Sequence, residues 1–274
     1  MMIGVTGGKG GTGKTVLAVN LAVALAREGE DVAYIDCDAD CPSAAMVANL
    51  ELKNKKNIHS FLPHFDNKKC VQCGACVRSC GLNALYQLKG KVPSLLESSC
   101  IGCGACMIAC PYGAITESKK VIGWTYTAKK YDVDFFSGKL KPSEILTEKV
   151  VEVVKERGLS KKHGITIVDT AAGAHCQVVR ALEGCHKAVA VTEPTAFGEH
   201  DLKVITKLLK KMKIPYSIIL NRSTISDRKT KAALEIPYDR MMIECYVKGV
   251  PLVEKYPEHP LSRKIRSFAR SVIK

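Results

Sequence analysis

Met2-Ile3-Gly4-Val5-Thr6-Gly7-Gly8-Lys9-Gly10-Gly11-Thr12-Gly13-Lys14-Thr15 is the stretch that decides the fold of this chain. Met2 to Thr6 is a short apolar run, which by its length reads as a buried strand. Gly8 to Thr15 fits the pattern G-x-x-x-x-G-K-[ST]. A run rich in Ala, Leu and Val follows over 16–28 and reads as a helix ended by Gly29. A second strand over 32–35 finishes at Asp36. Strand, glycine loop, helix, strand is a βαβ unit of a parallel sheet. In that setting the glycines let backbone N–H groups close around phosphate oxygens, and the helix N-terminus adds a positive field. Lys14 is expected to reach the β- and γ-phosphates and Thr15 to bind Mg²⁺.

Working outward, the α/β rhythm stops near Leu52 and resumes after about residue 119. Segments 121–127 and 131–136 read as a strand pair. Segment 144–157 reads as an amphipathic helix, with Pro142 near its start and Gly158 after its end. Strands are expected at 165–168, ending at Asp169, at 188–191, and at 216–220, ending at Asn221. Helices are expected at 197–212 and 261–273. The predicted fold class is therefore α/β, a mainly parallel sheet, formed by 1–56 and 119–274, with a guest domain over 57–118.

The guest segment is set apart by composition. Eight of the thirteen cysteines lie there in two tight groups. Cys70-Val-Gln-Cys73-Gly-Ala-Cys76-Val-Arg-Ser-Cys80 is echoed by Cys100-Ile-Gly-Cys103-Gly-Ala-Cys106-Met-Ile-Ala-Cys110-Pro111, a repeat of 30 residues that suggests two half-domains with pseudo-twofold symmetry. The opening residues contain no basic, apolar and cleavage-site series of an export signal, so a cytoplasmic protein with metal-binding cysteines is expected, not a disulfide framework. No apolar run approaches the ~18 residues of a membrane span. The formal charge of +14 is spread as Lys-Lys pairs. Eight cluster-bound thiolates and two oxidised cubanes would bring it to about +10. With one Trp and scattered lysines, no nucleic-acid module is expected.

Lys9-Gly-Gly-Thr-Gly-Lys-Thr15 resembles the deviant phosphate loop of the MinD, ParA, Mrp-type and nitrogenase iron protein family. The resemblance implies an ATP-dependent homodimer in which Lys9 reaches nucleotide across the interface. Tyr34-Ile-Asp36-Cys-Asp38 looks like the family's first switch, with Asp36 supporting Mg²⁺ and Asp38 positioning the attacking water. Ile167-Val-Asp169-Thr-Ala-Ala-Gly173 looks like its second, with Asp169 holding a magnesium-bound water. Asn221 and Pro237 fall where the family contacts the adenine base. The resemblance thus implies an Mg²⁺-dependent ATPase, slow without a partner, with Gly8, Lys9, Gly10, Gly11, Thr12, Gly13, Lys14 and Thr15 around ATP or ADP.

The two runs of C-x₂-C-x₂-C-x₃-C resemble bacterial two-cluster ferredoxins. By that family's rule Cys70, Cys73, Cys76 and Cys110 hold one [4Fe–4S] cluster, and Cys100, Cys103, Cys106 and Cys80 the other. Zinc is the competing chemistry. The run at Cys80 departs from the family pattern, with Gly81 where proline is common. Four protein thiolates per cluster leave no open coordination site, which suits electron passage. Among the five other cysteines, Cys37, Cys41, Cys185 and Cys245 read first as small buried residues, and Cys37 and Cys41 also lie in the first switch, near the nucleotide. Cys176 resembles in position the cluster-ligating cysteine of nitrogenase iron protein. The basic, amphipathic C-terminal segment is either a membrane-surface helix of the MinD kind or the last packed helix of the fold, and packing is preferred, without stable membrane insertion.

Together these features predict an ATP-gated electron carrier acting on a redox protein. The alternative is an iron–sulfur scaffold of the Mrp type that serves an apo-protein. The Mrp group uses a C-terminal C-x-x-C pair, and no such pair follows Cys110. Intracellular positioning and amide ligation are the remaining readings. The first gives the guest domain no purpose, and the second needs a glutaminase part for which no residues remain.

Overall fold

Strands buried on both faces must be covered by helices on both sides, and β1 (Met2–Thr6) is buried at every residue. The computed structural model describes residues 1–228 and 230–274. After β1 come α1 (Lys14–Arg27), β2 (Val32–Cys37), α2 (Ala44–Val47), β3 (Lys53–Phe65), α3 (Ala75–Arg78), β4 (Leu85–Tyr86) and β5 (Ser94–Leu95). There follow α4 (Ala105–Ile108), β6 (Ile115–Lys130), β7 (Val133–Leu140), α5 (Thr147–Leu159), β8 (Ile165–Thr170), α6 (Cys176–Leu182), β9 (Lys187–Thr192) and α7 (Ala196–Lys211). The chain ends with β10 (Tyr216–Asn221), β11 (Leu234–Ile236), α8 (Arg240–Lys248), α9 (Leu252–Lys255) and α10 (Pro260–Ile273).

The main sheet runs β11-β10-β9-β1-β8-β2-β7-β6-β3. From β11 to β7 every pairing is parallel. The parallel neighbours β9 and β10 are joined through α7. In contrast, β6 and β7 are linked directly by Tyr131-Asp132 with φ of 53° and 59°. Two successive left-handed residues make a type I′ turn, which fits the strand twist. Tyr131 therefore belongs to the turn, and the strand expected from residue 131 starts at Val133. Similarly, the helix expected from 144 starts at Thr147.

Two compact units divide the chain: Met1–Lys56, Thr125–Lys139 and Thr147–Lys274 form one, Asn57–Trp124 and Leu140–Leu146 the other. The chain crosses between them inside β3, inside β6, at the end of β7 and again just before α5. In the first unit α1 is buried along most of its length, packed among Leu252, Val253, Leu261, Ile265, Phe268 and Val272 of the last two helices. The apolar face of α10 is thereby used up in the core, while Arg270 on its outer side meets Glu28 at 3.2 Å. No helix among the described residues is long and apolar enough to cross a membrane.

In the second unit the 30-residue repeat is carried into the backbone. Leu96 N–H donates to Ala84 O, and Asp66 N–H to Ala114 O, each at 2.8 Å. Positions 66 and 96, like 84 and 114, are repeat mates, so each half lends its entering strand to the other. Left-handed φ recurs at mated positions too: 60° at Gln72 and 68° at Gly102, 70° at Gly74 and 73° at Gly104, 52° at Asn83 and 59° at Gly113. The repeat departs from identity at 102, where a Cβ would stand 2.3 Å from Ser60 Oγ and 3.0 Å from Phe61 O. Only glycine fits there.

The packing of α10 gives a direct check. Ile265 is wholly buried, and Ile265→Ala is expected to lower stability by about 3 kcal/mol, read as a fall in the urea denaturation midpoint. Arg270→Ala, on the solvent side, is expected to change it by less than about 0.5 kcal/mol.

Candidate functional site

The C-terminal ends of β1, β2 and β8 bring the glycine loop and two acids together. In the register of the sheet Asp36 stands opposite Asp169, and Val5 opposite Asp169 on the other side. Gly13 caps α1 with φ 87°, a left-handed turn that aims the helix N-terminus into the loop. Lys14 is 7% exposed, and its Nζ donates to Lys9 O at 2.9 Å. Burial pulls its pKa down, against the raising charges of Asp169 and Asp38. A lysine folded back onto its own loop can swing to a phosphate that enters the loop.

Both strand-end acids are buried. Asp36 accepts from the backbone N–H of Ala44 at 3.1 Å and of Asp38 at 3.2 Å. Burial, and then the Asp169 charge, push its pKa well above the usual carboxylate range. Burial pushes Asp169 up to about 6, opposed by the Thr15 and Tyr34 hydroxyls and by Lys14. Tyr34 Oη donates to Asp169 Oδ2 at 2.8 Å, while Oδ1 is buried with no hydrogen-bond partner among the described residues. Thr15 Oγ1 lies 3.2 Å from Ser43 Oγ. Two adjacent buried carboxylates, an orphaned carboxylate oxygen and a threonine hydroxyl form a donor set that suits a hydrated Mg²⁺.

An open cleft of about 750 Å³ starts at this point. Gly10, Gly11, Gly13, Lys14, Thr15, Asp38, Asn221 and Pro237 of the sequence-derived site all line it. Asp38 is half-buried, and its Oδ1 accepts from Cys41 N–H at 3.3 Å. Asn221 Nδ2 donates to Thr12 O at 2.8 Å, so here it braces the loop. Thr12 itself is buried and donates to Lys9 O. Gly8 packs so tightly that a Cβ would stand 2.5 Å from Asp201 O. Lys9 points outward, its Nζ 6.0 Å from the ring centroid of Phe197, which is 74% exposed. Sequence reading missed three contributors. Tyr34 had a signal, since it lies two residues before Asp36 and so shares its strand face. Ser43 and the Met242, Ile243 and Tyr246 side of α8 had none, because the loops that bring them to the cleft follow no periodic pattern.

In the second unit Cys70, Cys73, Cys76 and Cys110 line one small cavity of about 20 Å³, together with Val71, Ala75, Tyr112 and Ile115. Three of these cysteines come from the first run and the fourth from the second. Cys76 and Cys106 are buried, and burial raises both thiols. The charges of Cys110 and Cys70 act on Cys76, and those of Cys100 and Cys103 on Cys106. Cys80 Sγ accepts from Ala84 N–H at 3.2 Å and its mate Cys110 Sγ from Ala114 N–H at 3.4 Å. No three His, Cys, Asp or Glu side chains among the described residues converge as ligands of a single ion. The four cysteines line a shared space instead, and that donor set suits a polynuclear thiolate-bound group.

The remaining cysteines divide. Cys37, Cys185 and Cys245 are buried, and burial lifts their pKa, to about 11 for Cys185. Such thiols are inert. Cys41, expected to be buried, is exposed and lines the nucleotide cleft, on the loop that follows Asp38. Cys176 is exposed as the first residue of α6.

The pKa of Asp169 has a measurable consequence. An acid whose folded pKa exceeds its unfolded value binds more protons when folded, so its ionisation destabilises the fold as pH rises from about 4 through 6. Nucleotide-free Asp169→Asn protein is expected to exceed the parent in stability by about 3 kcal/mol at pH 8. That advantage should vanish toward pH 4, as read by denaturation midpoints across pH.

Comparison with known proteins agrees with this geometry. The chain is 42% identical over 251 residues to the uncharacterized protein MJ0579 of Methanocaldococcus jannaschii, covering 91% of this chain and 90% of that one. It is 38% identical over 79 residues to the iron-sulfur protein required for NADH dehydrogenase, mitochondrial, of Arabidopsis thaliana, covering 28% of this chain and 25% of that protein. Its fold is similar to that of the septum site-determining protein MinD of Pyrococcus horikoshii, solved with Mg-ADP. The TM-score is 0.63 at 20% identity, over 100% of this chain and 96% of that one. The CobQ/CobB/MinD/ParA nucleotide binding domain matches residues 3–263, and the chain belongs to that family.

Proposed function

We propose that this protein binds and hydrolyses ATP and uses the cycle to gate electron delivery from two [4Fe–4S] clusters to a protein partner. One observation carries the reading: a cavity walled by four cysteines drawn from both runs, in the same chain as a phosphate loop with its two buried acids. On this reading residues 57–118 are a ferredoxin-like guest within a nucleotide-binding domain of 1–56 and 119–274. Cys70, Cys73, Cys76 and Cys110 hold one cluster. Cys100, Cys103, Cys106 and Cys80 hold the other. Bound clusters supply one-electron storage and release.

The chain's own groups do the rest. Gly8, Gly10, Gly11, Thr12 and Gly13 present backbone N–H groups to the phosphates, and Lys14 leaves Lys9 O to meet their charge. Thr15, Asp36 and Asp169 hold hydrated Mg²⁺, whose charge matches the carboxylates that burial now drives toward protonation. Asp38 orients the attacking water, and Pro237 and Asn221 flank the base. Lys9, already exposed, reaches a second copy in a nucleotide-dependent homodimer. Closure by ATP requires that ATP bind the closed state more tightly than the open one. Hydrolysis without the partner is slow, and the cytoplasm keeps the cysteines reduced.

A second reading, a cluster scaffold or carrier, draws on the partial match to the plant iron-sulfur protein. One experiment separates them. Anaerobic reconstitution is expected to load about eight iron atoms per chain. The reduced protein should then be reoxidised by candidate acceptor proteins faster with ATP than without. Lys14→Ala should cut hydrolysis by roughly 100-fold and abolish that ATP effect while keeping its iron. If ATP changes nothing and clusters pass intact to an apo-protein, the scaffold reading replaces this one.

A further inference from the structure

The pseudo-twofold symmetry of the second unit supplies an internal control. Each residue near one set of sulfurs has a mate 30 positions away near the other, so a difference between mates is a difference between the two sites. Gly74 and Gly104, Ala75 and Ala105, Val71 and Ile101, and Val77 and Met107 are alike in character. Positions 78 and 108 are not. Arg78 Nη1 donates to Cys73 O at 3.0 Å, and a Cβ on Gly74 would stand 3.1 Å from the same nitrogen. The guanidinium is thus held against the loop that carries Cys73, an exposed cysteine. Its mate is Ile108, uncharged and 84% exposed.

Within the two cysteine segments and at the 87/117 pair the charges lean the same way. Lys68 and Lys69 precede Cys70, whereas Ser98 and Ser99 precede Cys100. Gln87, whose amide donates to Gln72 O at 3.1 Å, is mated to Glu117. Over 66–80 the side chains carry a net +2, and over 96–110 a net −1. Reduction adds a negative charge to a site, and a cation held beside it favours the reduced form. Screening confines that effect to about 10 Å, so Arg78 acts mainly on the sulfurs whose loop it touches.

Resting on the reading that both cysteine sets hold clusters, we propose that the Cys70, Cys73, Cys76 and Cys110 site has the higher reduction potential, and that Arg78 sets much of the difference. An electron from a one-electron donor protein settles there. The donor loses one electron and the site gains it; no bond breaks and no proton moves. Val77 and Met107 keep the two surroundings similarly apolar, so charge and not dryness distinguishes the sites.

The test uses the full-length, anaerobically reconstituted chain, titrated against dithionite and followed by electron paramagnetic resonance. Cys103→Ser leaves the first site as the intact one, and Cys73→Ser leaves the second. The cluster remaining in Cys103→Ser should reduce at the higher potential. Adding Arg78→Ile to that variant should lower its potential, and Arg78→Lys should largely preserve it. Arg78→Ile added to Cys73→Ser should shift the remaining cluster much less. Should the serine variants fail to fold, the exchange Arg78→Ile with Ile108→Arg in the otherwise intact chain should draw the two reduction waves together or invert them. Equal potentials, the opposite order, or indifference to Arg78→Ile would overturn the proposal. A parent protein that loads no cluster would instead overturn the reading beneath it.

Discussion

Two carboxylates side by side in a dry sheet are an electrostatic problem that the rest of the nucleotide unit is built around. Asp36 and Asp169 occupy directly paired positions on β2 and β8. Both are buried, and the Asp169 charge raises the cost of ionising Asp36. The protein answers in part. Tyr34 donates to one oxygen of Asp169, and two backbone N–H groups serve Asp36. Lys14 adds a positive charge from the adjacent loop. What remains, an unpartnered buried oxygen on Asp169, is a deficit that a divalent cation brought with nucleotide would fill. On the proposed reading, nucleotide and its cation offset that electrostatic cost.

That arrangement explains why so much of the nucleotide unit was legible in advance. A buried parallel strand is mostly apolar and the ligand crevice lies at its C-terminal end, so a run such as Tyr34-Ile-Asp36 or Ile167-Val-Asp169 announces both the strand and the crevice. The glycine loop announces the helix after it. Less legible were β3 and β11. The first begins Lys53-Asn54-Lys55-Lys56, polar residues in an edge strand exposed along its start, where no burial enforces a pattern. The second has three residues, Leu234–Ile236, too few for a periodicity. The α8 wall of the cleft was invisible for another reason. Its Ile243, Tyr246 and Val247 are exposed, so their apolar character does not mark a core face.

The cysteine unit obeys a different logic. Its helices are four residues long, its β4–β5 ribbon has two residues a strand, and its small apolar cluster centres on Cys76, Leu85, Cys106 and Ile115. A core of that size holds little stability by area alone. The sequence announced the ligand spacing and the repeat, but not that each half would donate its entering strand to the other. That exchange follows from the bonds of Asp66 to Ala114 and of Leu96 to Ala84. It also accounts for the fourth cysteine: if the halves interlock, Cys110 arrives at the cavity lined by Cys70, Cys73 and Cys76. On the proposed reading, bound clusters replace the missing core, and metal binding becomes part of folding free energy.

Chain order gives this design its last constraint. Asp38 follows the end of β2 by one residue, α2 follows at Ala44–Val47, and β3 starts at Lys53. The segment that would sense the γ-phosphate is therefore the same short segment that leads into the cysteine unit. The return path is equally direct, since β6 turns through Tyr131-Asp132 into β7, and Ser137 of β7 pairs with Asp36. A sheet with buried, paired strands does not deform gradually, so any nucleotide-driven shift has to be taken up by the irregular stretch from Asp38 to Leu52. On the proposed reading the guest is joined at one end to the loop after Asp38 and at the other, through β6 and its turn, to a strand paired with β2, which is the arrangement a gate needs.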